Sequence, residues 1–293
     1  MGPVWRDLDQ AELDRQYNSR GTVADFSVYT RQYAAQTLAA KRTLKCVENL
    51  SYGDGVDEKL DIYRAAQADA PVMVFFHGGD WRALSKEDSG FAAPAFVAAG
   101  VTLVVPDFTL VPATTIPAMG AQIRRVLAWV HANIAARGGD PNRMHIAGHS
   151  SGANLVGQAL MTDWVNDFGL SEDIIKSATF MSGLGDLEPV RLSFRNETLN
   201  LNAAQVAEVS LLRSGARVKV RCPMLVAVGE KETDDYRRQS REVAEYWKAQ
   251  GNVATLFELK GRNHFDAVLE WADPASSLFK ANLAHIYQSD KQD

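Results

Sequence analysis

From Pro71 onward the chain repeats one pattern: a short continuous apolar run, then a segment with helical spacing. The runs fall at 72–76, 101–105, 144–147, 178–182, 224–228 and 253–259. Runs of this length, apolar throughout, are strands covered on both faces, and strands separated by helices run parallel. Two alternating stretches precede them at 44–50 and 59–63, separated by the turn Ser51-Tyr52-Gly53-Asp54-Gly55, and predict an antiparallel hairpin at a sheet edge. The helical segments lie at 89–99, from Pro117 to a Gly138-Gly139 stop, and at 153–161, 234–250 and 275–287. Residues 140–142 are expected to turn the chain into the strand at 144–147. The expected fold class is therefore α/β: a mostly parallel, eight-stranded sheet with helices on both faces.

A length of 293 residues accommodates this as one domain over 44–293. The insert at 183–221, between two strands, has helix-like pieces and is expected to form a small helical cap over the site. Residues 1–43 are polar and helix-leaning, with Tyr17, Phe26, Tyr29 and Tyr33 scattered through them. They are expected to be an N-terminal extension that packs on the domain or over its site.

Composition narrows the partners. A net charge of −5, with no basic patch interleaved with aromatics, argues against nucleic acid and against an anionic membrane. No apolar run approaches the roughly 20 residues of a membrane span. The first sixteen residues carry Arg6, Asp7, Asp9, Glu12 and Asp14 without an apolar core, which is no secretory signal. Cys46 and Cys222 read as reduced thiols, and no metal-type spacing of His or Cys occurs, so no metal is expected. The expected setting is the cytoplasm, with a small-molecule substrate and a homodimer as the candidate assembly.

The chemistry concentrates in Ile146-Ala147-Gly148-His149-Ser150-Ser151-Gly152-Ala153-Asn154. Gly-x-Ser-x-Gly alone is weak, since chance supplies roughly 0.1 matches in a chain this long at average Gly usage. Its setting is not weak: an apolar strand enters it and a helix leaves it, as a nucleophile elbow requires. The glycines let the turn's backbone crowd its neighbours, and Ser150 projects at the sheet edge. A serine hydroxyl needs a base, and the base needs a carboxylate, in the chain order Ser, Asp/Glu, His.

Of six histidines only His264 and His285 follow the elbow, and His285 sits within a helical pattern. His264 lies in a polar loop directly after the strand at 253–259 and is the expected base. After the strand at 224–228 come Glu230, Glu232, Asp234 and Asp235, any of which could simply sit at a helix N-terminus. Glu232, the last carboxylate before the helix cap, is favoured, with the others still open. His77-Gly78-Gly79-Asp80-Trp81 follows the strand at 72–76, and its glycines suit an oxyanion hole. Gly78, Gly79 and the N–H of Ser151 are the expected donors.

Together these residues resemble the α/β-hydrolase superfamily from about residue 44 to the C-terminus. More closely, five elements are similar to the kynurenine formamidase (arylformamidase) branch. They are His77-Gly78-Gly79-x-Trp81, Gly148-His149-Ser150-x-Gly152-Ala153, Ser182-Gly183-Leu184-x-Asp186-Leu187-Glu188-Pro189, Glu232-Thr233-x-x-Tyr236-x-Arg238-Gln239-Ser240 and Asn263-His264-Phe265. The tyrosine-bearing extension is similar too. The resemblance implies the acid at Glu232 and a cofactor-free serine hydrolase that opens an aryl formamide or small ester through an acyl-enzyme. Asp80, Trp81, Phe108, His149, Trp164, Leu184 and Phe265 are then the expected substrate-binding residues, with Phe194 a further aromatic for the wall. Asp80 stands where the branch often has an aromatic. A carboxylate there would repel an anionic substrate group, or anchor a donor or cationic one. Gly185, where a bulkier residue is common, would open the pocket. A general carboxylesterase or carbamate hydrolase is the alternative, and a ligand-binding relative without catalysis the remote one.

Overall fold

The eight strands form one sheet in the order β1-β2-β4-β3-β5-β6-β7-β8 in the computed structural model, which describes residues 2–288. They are β1 Cys46–Ser51, β2 Lys59–Tyr63, β3 Ala70–Phe76, β4 Thr102–Pro106, β5 Gly139–His149, β6 Ser177–Met181, β7 Met224–Gly229 and β8 Ala254–Leu259. β1 pairs with β2, and β2 with β4, antiparallel; every later pairing is parallel. The chain leaves β3 for β4 on one side and later returns to β5 on the other. The C-terminal ends of β3 and β5 thus flank the switch point, where open α/β sheets place their ligands.

Among the described residues eleven α-helices surround the sheet: α1 Gln10–Gln16, α2 Ser27–Thr43, α3 Ala93–Ala98, α4 Ile116–Asn133, α5 Ser151–Leu160, α6 Trp164–Phe168, α7 Glu188–Leu192, α8 Asn196–Leu199, α9 Ala203–Val209, α10 Asp234–Ala249 and α11 Ser277–Gln288. The period-2 alternation of β3 shows why both faces need cover. Val72, Val74 and Phe76 face a core shared with α4, α5 and α10, whereas Met73 and Phe75 face one shared with α2, α3 and α11. All five are fully buried. At roughly 1.5–3 kcal/mol per buried side chain, such strands are held by packing on both sides. Among the described residues no helix is long and apolar enough to cross a membrane.

Two boundaries differ from the sequence expectation. The helix expected at 89–99 begins at Ala93: Gly90 lies against Tyr63, where a Cβ would come within 2.1 Å of its hydroxyl, and Pro94 sits in the first helical turn. Residues 140–142, expected as a turn, already belong to β5. Gly139 pairs with Ala70, and Asp140 Oδ1 caps the N–H of Asn142 across a local irregularity.

Helix α2 is tied to the sheet edge by charge. Asp61 of β2 is fully buried and accepts from the Asn49 N–H. Lys41 Nζ of α2 lies 2.7 Å from it and Lys86 Nζ 3.3 Å. Lys41 also reaches Glu48 and Glu87. Three carboxylates meet here, but two ammonium groups already sit among them, so the cluster is an ion-pair network and not a cation site. Removing one partner from a buried pair leaves charge uncompensated. Lys41→Met should therefore lower unfolding free energy by about 3 kcal/mol, read as a shift of the urea midpoint at constant slope; an unmoved midpoint would show that the network is merely solvated.

Candidate active site

β5 runs into Gly148-His149, Ser150 turns at φ 55°, ψ −121°, and α5 starts at the next residue. The turn is this tight because backbones touch. A Cβ on Gly148 would lie 2.2 Å from the Gly152 carbonyl oxygen, and one on Gly152 would lie 2.0 Å from that of Phe76. Ser150 is fastened by its own N–H, which donates to Met181 O at 2.9 Å. Its hydroxyl is left at the mouth of the sheet.

His264 Nε2 lies 2.9 Å from Ser150 Oγ, and His264 Nδ1 lies 2.7 Å from Glu232 Oε2. The other oxygen, Oε1, accepts from Ser182 Oγ at 2.6 Å and from the Gly229 N–H at 2.7 Å. A carboxylate accepting this many bonds places the imidazole proton on Nδ1 and leaves Nε2 bare toward the serine. The neighbouring acids are engaged elsewhere. Glu230 accepts from the Gly261 N–H, Asp235 pairs with Arg238, and the Asp234 side chain is 84% exposed. Of the four carboxylates left open by spacing, only Glu232 meets the histidine.

Across from this chain lies the loop after β3. Gly79 has φ 111°, and its carbonyl accepts the N–H groups of Arg82 and Ala83, closing a tight turn. Gly78 is seated against the elbow: a Cβ there would lie 3.2 Å from Ser150 Cβ. Asp80, Trp81 and Leu84 also take positive φ, so the loop holds a conformation that side-chain-bearing residues seldom adopt. Among the described residues, the N–H groups of Gly78, Gly79 and Ser151 are taken by no other acceptor. They are free to receive a developing oxyanion.

In front of Ser150 and His264 opens a cavity of about 150 Å³. Asp80, His149, Phe194 and Phe265 line it as expected. Four other expected residues do not. Trp81 and Trp164 are 1% exposed within the core, and Trp164 Nε1 donates to Ala159 O. Phe108 stacks on His77 at 4.4 Å behind the loop, and Leu184 is fully buried, with its carbonyl facing Asn154. Trp81, Phe108 and Leu184 follow strand ends, where a large side chain serves packing unless its loop turns it outward, and Trp164 opens α6 away from the cavity lining. Gly185 opens nothing either: a Cβ there would meet Val243 at 2.5 Å and Leu212 at 3.0 Å.

Asp80 is not the free carboxylate that the sequence suggested. Its Oδ2 accepts from Arg82 Nη2 at 2.6 Å, and its Oδ1 lies 3.2 Å from Nη1 of the buried Arg195. With Arg20 also lining the cavity, its wall carries three guanidinium groups and one carboxylate. The local field therefore favours an anion. Sequence reasoning missed Arg195, Arg20 and Ser182. It also left Tyr17, Phe26 and Tyr33 unassigned, although the last two and Tyr29 fall at helical spacing on one face.

The chain is similar to known proteins over most of its length. A family model described as BD-FAE matches residues 60–180. The kynurenine formamidase of Salmo salar is 30% identical, over 92% of this chain and 94% of its own. That of Danio rerio is 29% identical, over 97% and 99% respectively. Esterase B of Lactobacillus rhamnosis shares the fold, with TM-score 0.72 at 16% identity over 94% of this chain and 98% of that one.

Three histidines near the sheet are buried and neutral. Burial lowers His77 to about 4, and His145 and His149 to about 3. His149 Nε2–H donates to His264 O at 2.9 Å, while His145 Nδ1 meets Ser177 Oγ. Folded values below the free value mean that the unfolded chain binds more protons below pH 6.5. The stability is complete above that pH and is lost as pH falls toward 4 or 3. Between pH 6.5 and 5 each should remove up to about 2 kcal/mol. Urea titrations at the two pH values measure this, and an equal midpoint at both would show that these rings are not held neutral.

Proposed function

The chain belongs to the kynurenine formamidase family of α/β-hydrolases and is a hydrolase of amide or ester bonds, and from that footing we propose that it opens an aryl formamide through a Ser150-His264-Glu232 triad. The observation that carries this is the continuous chain of contacts, 2.9 Å from serine to histidine and 2.7 Å from histidine to glutamate. Ser150 Oγ bonds to the formyl carbon while His264 Nε2 takes its proton. Glu232 holds the imidazolium that forms, and the N–H groups of Gly78, Gly79 and Ser151 hold the oxyanion. Collapse breaks the C–N bond, His264 returns the proton to the departing arylamine, and water repeats the sequence to release formate.

The substrate class rests on the family and on the wall of the cavity. Phe26, Tyr33, Phe194 and Phe265 offer an aromatic leaving group apolar surface, and 150 Å³ suits one ring with a short substituent. Arg20, Arg82 and Arg195 outnumber Asp80, so a carboxylate on that ring is accommodated. A second reading, hydrolysis of a small carboxylic ester, is favoured by the structural likeness to Esterase B and uses the same residues.

A fluorophosphonate should label Ser150 alone, identified by peptide mass spectrometry. Ser150→Ala and His264→Ala should each remove several orders of magnitude from kcat, and Glu232→Gln about 10⁴. Near-normal turnover in Glu232→Gln would pass the acid's role to another carboxylate. Across formanilides, acetanilides and p-nitrophenyl esters, a preference for formyl supports the amidase and a preference for longer acyl groups the esterase. Arg195→Gln should raise KM for a carboxylate-bearing aryl formamide about ten- to a hundredfold, as expected for a lost charge-assisted bond, and spare neutral formanilide. An equal rise for both would remove the anion from the assignment.

A further inference from the structure

Glu232 and His264 stand on separate turns, after β7 and β8, and their contact depends on where those turns are held. Both are gripped from outside by residues 16–33. On the histidine side, Phe265 packs between Phe26 and Tyr29, stacked on the latter at 5.7 Å. Tyr29 Oη accepts from Asn263 Nδ2 at 2.9 Å, and Tyr33 Oη donates to Phe265 O. Each neighbour of His264 thus carries a bond to α2, from side chains spaced i, i+4 on one helix face.

On the glutamate side, Thr233 is the N-cap of α10 but does not cap it. Its hydroxyl donates instead to Gln16 O at 2.8 Å, and Gln16 Oε1 accepts the Asp235 N–H at 3.0 Å. The helix that follows Glu232 is therefore capped by the N-terminal segment. Tyr17 Oη donates to Asp235 Oδ2 and accepts from Gln239 Nε2 at 2.8 Å. The ring of Tyr17 lies 6.1 Å from Tyr236, whose own ring meets His264 edge-on at 4.8 Å. Gln16, Tyr17 and Tyr33 are all buried.

We propose that residues 16–33 are a positioning clamp for the active site: Gln16 and Tyr17 set the Glu232 turn, Tyr29 and Tyr33 set the His264 loop, and together they hold the Glu232–His264 contact. This rests on the triad reading above. The extension is then required for turnover, because a displacement of one ångström between reacting groups can cost 10²-fold. Loosening the contact also withdraws carboxylate stabilisation from the imidazolium. The acid limb of activity should then move to lower pH.

The test measures fluorophosphonate labelling of Ser150 against pH, which needs no knowledge of the substrate, alongside thermal unfolding. Tyr29→Phe/Tyr33→Phe keeps both rings and removes their bonds to the histidine loop. Gln16→Leu removes the cap on α10. Each should slow labelling about tenfold or more and shift the acid limb downward, while Val28→Ala, at an exposed position of α2, should change neither. Should the double variant not fold, Tyr29→Phe alone takes its place. Folded variants with wild-type rate and limb would overturn the clamp, whatever their melting temperature. Wild-type protein unlabelled at Ser150 would instead overturn the triad reading.

Discussion

The structure turns on the contact between two strand ends. β3 and β5 approach until the Phe76 carbonyl lies where a Cβ of residue 152 would be, and until residues 148 and 152 touch backbone to backbone. That approach forces Ser150 to positive φ, a conformation that costs roughly 1–3 kcal/mol for a residue with a side chain. It persists because the flanking strand and α5 are packed in the core and leave no other path. The same contact brings Gly78 against Ser150, so the candidate nucleophile and candidate oxyanion donors are arranged by one backbone event.

Electrostatics then separates the roles of chemically similar groups. Four carboxylates follow β7 within six residues, yet only Glu232 has both oxygens engaged at the site, through Ser182, Gly229 and His264. Asp80 stands beside the oxyanion loop but lies between Arg82 and Arg195. Its charge is spent on organising the wall. In a cleft with low-dielectric sides, the surplus guanidinium charge would act on an anion placed there far more strongly than it would in water.

The N-terminal segment links these two levels. Among the described residues it forms no strand of the sheet, yet Tyr33 and Phe26 enter the cavity wall and Gln16 completes the first turn of α10. Buried backbone groups need partners. The loops after β7 and β8 find some of theirs in a part of the chain more than two hundred residues away.

How much of this was legible follows from the range of the interactions. The sheet, its edge hairpin, the elbow and the order of serine, acid and histidine were readable, because strand burial, turn chemistry and chain order are local or topological properties. Glu232 could be favoured from its place before a helix cap, but spacing left three rivals, since a difference of one or two residues is resolved only by where a side chain points. Trp81, Phe108 and Leu184 were misplaced for the same reason: an aromatic or leucine near a strand end suits the core and the pocket equally until the loop's φ values are known, and Trp164 was misplaced because α6 turns it into the core. The charge on Asp80 was visible in the sequence, but of its two guanidinium partners Arg195 lies more than a hundred residues away. Sequence alone determined the candidate nucleophile and base and the order in which serine, acid and histidine occur. Only the tertiary structure decided which carboxylate meets the histidine and what lines the cavity, because both depend on contacts between segments that no local pattern records.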